Sequence, residues 1–514
     1  EICFVRQLQV MRLSLTTPAA KSPDSDQKYI ARLVSDVSQL GSSGRVYLDF
    51  DQTLFLWNST EAFLNEARPS IVFAPLLKGA SGLIPWNFIG KNGYFIWRDC
   101  VRLALVMLLA PWTLARFARV APAIYARERN TLLESALADI DLRQVVIVSF
   151  GWRWVIRTLL KGSHLEGAEI IAPGLFGLAT ARSKGKLAML AREGYNLDRS
   201  KDVVVTDSAR DDADLLNAVH QQHVIHWSAE NKTAAHWSAY FPFSYTARIK
   251  RSPGFLVKQV FLEELPIVLI MFATLHLPSI LPVLFCLSLL FIAYLLVYEI
   301  GYAENDRVGE RTEAQPKLSD AYFTYRHLRL EPDAWIWAAL VTLAAFALAP
   351  ADLRQSMLTN LHLGGVPADF GIAVLTLVWM AFLGLARAVY YVFNKVPLAW
   401  RVFVYLPLHA TKYFGPLLLL PIHPAGVALG LAQVVRTWSM YAIRRAGGDE
   451  HALSSQMVRL TFFAAFAVVL FSIAELTWDE GFLLALAFAF CIIRAAPEVK
   501  KKMFGAAAKL GRVL

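Results

Sequence analysis

Arg45-Val-Tyr-Leu-Asp49-Phe-Asp51-Gln-Thr53-Leu54 is a short apolar run that ends in two carboxylates two positions apart. Its β-branched and aromatic residues predict a strand, and Asp49 then stands at the strand's carboxyl end. Gln144-Val-Val-Ile-Val-Ser149 and Asp202-Val-Val-Val-Thr-Asp207 have the same form, and Val224-Ile-His-Trp227 is a further candidate. Helical stretches lie between them. Continuous apolar strands alternating with helices predict an α/β domain around a parallel sheet covered on both faces. In such sheets ligands bind beyond the carboxyl ends of the strands, where Asp49, Ser149 and Asp207 are all expected.

The spacing of Asp49 and Asp51 suits phosphoryl chemistry. A carboxylate that attacks phosphorus needs a partner to protonate the leaving oxygen and later to activate water. The hydroxyl of Thr53 can fix the turn. Two carboxylates beside a phosphoryl group also call for a hard, oxygen-ligated cation such as Mg2+.

Outward from this motif the composition changes. The chain has 514 residues, 56% of them hydrophobic and only 18% charged, with a mean hydropathy of +0.42. The long apolar runs lie almost entirely after residue 255. Spans are expected at 262–278, 280–302, 333–349, 370–393, 399–419, 422–442, 458–475 and 480–496, an all-α polytopic membrane domain of about eight. The net charge of +10 gathers at the ends of these runs, as in Arg248, Lys250, Arg251 and Lys258, then Lys395 and Arg401, then Lys500, Lys501 and Lys502. That pattern points to membrane orientation and anionic lipid, not nucleic acid. It places the N-terminal domain and both termini on the cytoplasmic side of a cell (inner) membrane. Glu263 and Glu264 are expected near the interface, and few charges inside spans. Cys3, Cys100, Cys286 and Cys491 form no disulfide or metal pattern. Glu1–Lys21 lacks a continuous apolar core and is not expected to be a secretory signal.

Between Leu54 and about residue 140 a large insertion follows the first strand. It holds Val101-Arg-Leu-Ala-Leu-Val-Met-Leu-Leu-Ala-Pro-Trp112, too short for a span of about 20 residues. It reads either as a helix lying on or dipping into the bilayer or as a buried core helix. The same choice applies to Trp86, Phe88, Tyr94, Trp97 and Trp112.

Asp49-Phe-Asp51-Gln-Thr53-Leu54 after a strand resembles the first motif of the haloacid dehalogenase-like (HAD) hydrolases, phosphatases of Rossmann-like fold. The resemblance covers roughly residues 44–230 within a domain spanning 44–245, after an extension at 1–43. It implies a nucleophile at Asp49, an acid/base at Asp51, and phosphate contacts from Thr53, Ser149 and a lysine in Ser183-Lys184-Gly-Lys186-Leu. Lys184 is favoured there over Lys186. It also implies Mg2+ held by Asp49, Asp51 and Asp207 with Asp211 or Asp212, and a substrate-selecting cap in the insertion at about 54–140. Gln52 stands where the family more often has Gly. An apolar cap suggests a lipid or polyprenyl-phosphate substrate.

After the second span comes Tyr298-Glu299-Ile-Gly-Tyr302-Ala-Glu304-Asn305-Asp306-Arg307, then Glu310, Arg311, Glu313 and Lys317. After the sixth come Arg436, Arg444, Arg445, Asp449 and Glu450. Carboxylates at the end of a membrane helix are costly unless they serve something. This layout resembles the UbiA-like intramembrane prenyltransferases. It implies a second, prenyl- or phosphoribosyl-transferring site at Asn305, Asp306, Glu310, Arg311, Glu313, Lys317, Arg444, Arg445 and Asp449 in a UbiA-like domain over 246–514, hence a bifunctional enzyme. Positive-inside charge alone also explains the arginines. The competing expectations are a lipid-phosphate phosphatase whose membrane domain only binds lipid, and a transporter or scaffold with a regulatory HAD domain. Oligomeric state is not legible.

Overall fold

The computed structural model describes residues 32–36, 40, 44–90, 92–225, 240–250, 254–273, 280–313, 316, 318–324, 328–449, 454–473 and 477–510. Cys3, Lys317 and the segment Glu1–Lys21 lie outside them. The chain divides into two units, Glu1–Tyr240 with Ser319–Arg329, and Phe241–Leu318 with Leu330–Leu514.

In the first unit, β1 (Val46–Leu48), β2 (Val145–Val148), β3 (Glu169–Ile171), β4 (Val203–Thr206) and β5 (Gln221–Val224) form one sheet in the order β3-β2-β1-β4-β5. Every pairing is parallel. The alternation of strand side chains splits them between two cores. Val46, Leu48, Val145, Ile147, Val203 and Val205 pack on one face; Tyr47, Val146, Val148 and Val204 pack on the other. Both faces are apolar, which is why these strands read as continuous runs. β3 was not anticipated, because three residues are too few to show a pattern. β5 begins upstream of the expected Val224–Trp227 and includes Val224; residues 226 and 227 lie outside the described residues.

The strand order reverses between β1 and β4, so the switch point lies beyond Leu48 and Thr206. The insertion after β1 is helical: α1 (Ser59–Leu64), α2 (Ser70–Gly82), a 3-10 turn (Trp86–Ile89), α3 (Gly93–Leu109), α4 (Thr113–Glu128) and α5 (Thr131–Ala136). Phe63, Phe73, Leu103, Val106 and Phe117 join the same core as the adjacent sheet face. α6 (Arg153–Leu160), α7 (Leu178–Lys184), α8 (Lys186–Arg192) and α9 (Ala213–Leu216) complete the layers.

The second unit is helical throughout its described residues. Two π-helical segments, Thr246–Lys250 and Leu256–Glu264, precede α10 (Leu265–Met271) and α11 (Ile280–Thr312). α12 (Asp320–Thr324) falls in the first unit. Then come α13 (Asp333–Leu348), α14 (Ala351–Asn360), α15 (Ala368–Lys395), α16 (Arg401–Phe414), α17 (Pro424–Arg445), α18 (Ser455–Ile473) and α19 (Trp478–Leu510). By length and composition, four helices among the described residues can cross a membrane: Ile280–Thr312, Phe370–Lys395, Ser455–Ile473 and Trp478–Lys500. The number rises to 6 if two bent pairs, α3 with α4 and α13 with α14, each count as one broken span.

The eight expected spans are therefore not all present as single helices. The segment expected at 262–278 starts in π-helix around buried Glu263 and Glu264. That at 399–419 breaks into α16, with Pro407 inside it, and a 3-10 turn at Gly415–Leu418. α17 is long but carries Gln433 and Arg436 in its middle.

Candidate active site

Three strand ends supply the site. Asp49 follows β1, Ser149 follows β2 and Asp207 follows β4. Asp49 Oδ1 accepts from its neighbour's backbone, Phe50 N at 2.8 Å, and from Lys186 Nζ at 2.7 Å. Burial raises the Asp49 carboxyl well above the usual carboxylate range; Lys186 opposes this, while Asp212 and Asp207 add to it.

Asp51 has a different environment. Its Oδ1 accepts from Ser59 N at 2.6 Å and its Oδ2 from Ser59 Oγ at 3.1 Å. Burial still prevails over these bonds and raises its pKa to about 6. Gly151 closes over this pair: a Cβ there would meet Ser59 Oγ at 2.7 Å and Asp51 Oδ2 at 3.3 Å. The turn between them is tight. Gln52 has φ +60°, in the left-handed region where glycine is normally preferred. Its N–H donates to Phe55 O at 2.7 Å and Trp57 O at 3.2 Å, and these bonds hold the strained turn. Asn130 Nδ2 donates to Thr53 O at 2.9 Å, so the far end of the cap region also pins the loop. Thr53 Oγ1 reaches Asp207 Oδ1 at 3.5 Å, and buried Ser149 accepts from Gly151 N at 2.9 Å.

The two candidate lysines are placed differently. Lys184 is exposed at the end of α7. Gly185, at φ +88°, breaks the helix, and Lys186 opens α8 with only 3% of its side chain exposed. Its ammonium sits between Asp49 and Asp212. Burial disfavours that charge, but the two carboxylates outweigh it and hold the amine protonated. The ambiguity at the fourth strand resolves in the same way. Asp211 is exposed, whereas Asp212 is buried and its Oδ2 accepts from Thr206 Oγ1 and from Lys186 Nζ at 2.9 Å. Asp212 Oδ1 lies 2.7 Å from the ammonium, but without hydrogen-bond geometry, and it has no other donor.

Asp49 and Asp212 thus share one ammonium, Asp207 lies close enough to act on Asp49, and one of the buried oxygens has no donor. These features fit a hard divalent cation. Among the described residues, no three such groups are already closed to metal-ligand distance, so the fit rests on charge and donor type. Both oxygens of Asp51 are engaged by Ser59, and Asp211 is exposed.

The cap answers the question about its aromatics. Trp86 is buried, but Phe88 is 91% exposed, and Tyr94, Trp97 and Trp112 are exposed as well. On α3 charge is buried together with apolar side chains while aromatic residues are left out. Asp99 and Arg102 face inward beside Leu103 and Val106, while Tyr94, Phe95, Trp97, Leu108 and Leu109 face outward. The inward charges are satisfied. Arg102 grips Glu61 through two bonds of 2.7 Å, and Asp99 accepts from Arg98 and from Arg182 Nη2, each at 2.8 Å. Ser59, Asn130, Arg182 and Lys186 were not singled out from the sequence. Lys186 was at least visible as the runner-up; the others carried no motif.

In the second unit, Asp306 is buried and accepts from Tyr245 Oη at 2.8 Å and from Lys250. Glu313 pairs with Arg401 at 3.3 Å. Asn305 is half-buried, and Glu310 and Arg311 are exposed. Arg444 and Arg445, exposed on the last turn of α17, lie over the Tyr441 ring, and Asp449 is exposed beyond them. Glu263, Glu264, Arg401, Lys412 and Arg459 are all buried within the helical unit.

A five-stranded parallel sheet flanked by helices, with carboxylates gathered at its switch point, makes the first unit an α/β domain. Residues 46–215 match the family model of the haloacid dehalogenase-like hydrolases, which supports a phosphatase-type activity. No curated protein and no solved structure matches the chain.

Proposed function

We propose that the first unit is a Mg2+-dependent phosphomonoesterase that acts through an aspartyl-phosphate on Asp49, with an amphiphilic phosphate ester as substrate. The carrying observation is the pairing of Asp49, held by Lys186, with Asp51, whose pKa of about 6 lets it give and take a proton near neutrality. Asp49 attacks phosphorus and the ester P–O bond breaks as Asp51 passes its proton to the leaving oxygen. Asp51 then takes a proton from water as that water's oxygen attacks phosphorus. The bond to Asp49 breaks and inorganic phosphate leaves. Lys186, Ser149 and Thr53 steady the phosphoryl oxygens. Asp49, Asp207 and Asp212 would hold Mg2+, which when bound offsets the charge gathered at phosphorus.

The substrate class rests on the outward apolar face of α3. A helix that turns charge inward and aromatic residues outward suits the headgroup boundary of a bilayer. The long apolar helices of the second unit fit a membrane-embedded protein, and positive-inside charge favours a cytoplasmic position for the first unit. A lipid or polyprenyl phosphate is then the natural ester.

Prenyl or phosphoribosyl transfer by the second unit is the alternative activity. It ranks below the phosphatase because Asp306 and Glu313 are already neutralised by Lys250 and Arg401. The test is phosphate release by the full-length protein in detergent, with and without EDTA, on lipid phosphomonoesters and p-nitrophenyl phosphate. Chelator-sensitive release that favours the lipid esters supports the reading. Chelator-insensitive release, or equal turnover of every ester, overturns the metal or the substrate assignment respectively.

A further inference from the structure

Inside the second unit four elements bring charge to one place: the π-helical segment Leu256–Glu264, α17, α18 and α19. Glu263 Oε1 accepts from Arg436 Nη1, from Gln456 Nε2 at 3.1 Å and from Arg459 Nη1 at 3.3 Å. Its Oε2 accepts from Arg494 Nη2 at 2.7 Å. Gln433 Oε1 accepts from Arg436 and Arg459, each at 3.3 Å.

One carboxylate therefore faces three guanidiniums. Glu498 is the other acid nearby, but it is engaged by Ser454, Ser455 and the backbone of Gln456, and it reaches Arg436 only through Ser455. Glu264 is committed to Lys412. Arg459 is the telling residue. It is 0% exposed, its guanidinium carbon lies 5.0 Å from the centroid of the Phe490 ring, and its Nε and Nη2 have no acceptor. Arg494 Nε is also without one. Buried guanidinium donors left unpaired cost free energy, and excess interior charge among apolar helices marks a ligand site more often than a structural lock.

We propose that this cluster is an anion site for a phosphoryl group. The surplus of positive charge matches a phosphate monoester dianion, and guanidinium forks match its oxygens. Entry is past Arg494, whose side chain is 32% exposed. Arg494 lies on the stretch Trp478–Lys500, long and apolar enough to cross a membrane, which favours a lipid headgroup over free phosphate. The site belongs to the helical unit and does not depend on the phosphatase reading.

The experiment measures binding of dioctanoyl phosphatidic acid and of inorganic phosphate to the full-length protein in detergent. It uses the Asp49→Asn background, so that the strand-end site cannot turn the probe over. Arg494→Gln, at the partly exposed rim, is expected to weaken phosphatidic acid binding about tenfold. Arg459→Gln is expected to weaken it at least as much, and Glu263→Gln to tighten it by relieving competition for the guanidiniums. If inorganic phosphate shows the same dependence on Arg494, the site is a phosphate site without lipid preference, and the phosphoryl assignment still holds. Affinities for both probes unchanged by Arg494→Gln, or binding weakened by Glu263→Gln, would overturn it. Because Arg494→Gln and Glu263→Gln alter different signs of charge, the result does not depend on whether Arg459→Gln folds.

Discussion

At the strand ends of the first unit, Asp49 and Asp212 share the ammonium of Lys186, and the Asp207 carboxylate lies close enough to act on Asp49. In the helical unit the balance is reversed. Glu264, Glu304, Asp306 and Glu313 pair with Lys412, Arg387, Lys250 and Arg401 respectively, and Glu263 faces three arginines. Two carboxylates share one cation at the strand ends, whereas these four in the helical unit each have their own, as Glu61 has in Arg102 elsewhere in the first unit. A site left short can accept a cation and do chemistry with it. A site already supplied holds helices together, or, where cations are in surplus, attracts an anion. Counting acidic residues in a sequence does not separate these cases; counting their partners does.

The contrast is broken most severely at Asp49. Asp49→Asn removes the nucleophile, and phosphate release is expected to fall by about 10⁴-fold or more, with the circular dichroism spectrum unchanged. Residual turnover near that of the parent would mean that the strand-end carboxylates do no covalent chemistry. Next in size is the lysine pair. Lys186→Met is expected to reduce kcat/KM by about 10²- to 10³-fold, whereas Lys184→Met should stay within about twofold of the parent. Equal effects would return the ammonium to Lys184. A smaller effect, of the opposite kind, is expected in the helical unit. Asp306→Asn strands Lys250 and should cost about 2 kcal/mol of stability, read as a lower melting temperature in detergent, while phosphatase turnover on p-nitrophenyl phosphate is preserved. Loss of turnover without loss of stability would show that Asp306 serves chemistry after all. The smallest effect is at the turn. Gln52→Gly relieves the positive φ and should raise stability by less than about 1 kcal/mol with activity retained; a drop in activity would mean that the glutamine side chain contributes to the site.

What could be read from the letters follows the same division. β1, β2 and β4, and the positions of Asp49, Ser149 and Asp207 at their ends, were legible because a strand buried on both faces is a continuous apolar run and its polar terminus is conspicuous. The choice of Lys186 over Lys184 was not, because it depends on a helix break at Gly185 that reorients two lysines otherwise equivalent by spacing. Ser59 and Asn130 were invisible because each acts through folding back onto a loop distant in sequence. In the helical unit hydropathy located the apolar stretches but not their bends. It also placed Glu263 at an interface, because three of the groups that accommodate it, Arg436, Arg459 and Arg494, lie more than 170 residues downstream.

The outward aromatic face of α3 has a kinetic consequence. Under the proposed function, a cap seated in the headgroup layer would meet its ester in two dimensions. The enzyme's rate is then set by the mole fraction of the ester in the membrane, not by molarity in the tube. Adding inert phospholipid at constant total substrate would slow it, as no change in bulk concentration had occurred, and the apparent KM would be a surface density.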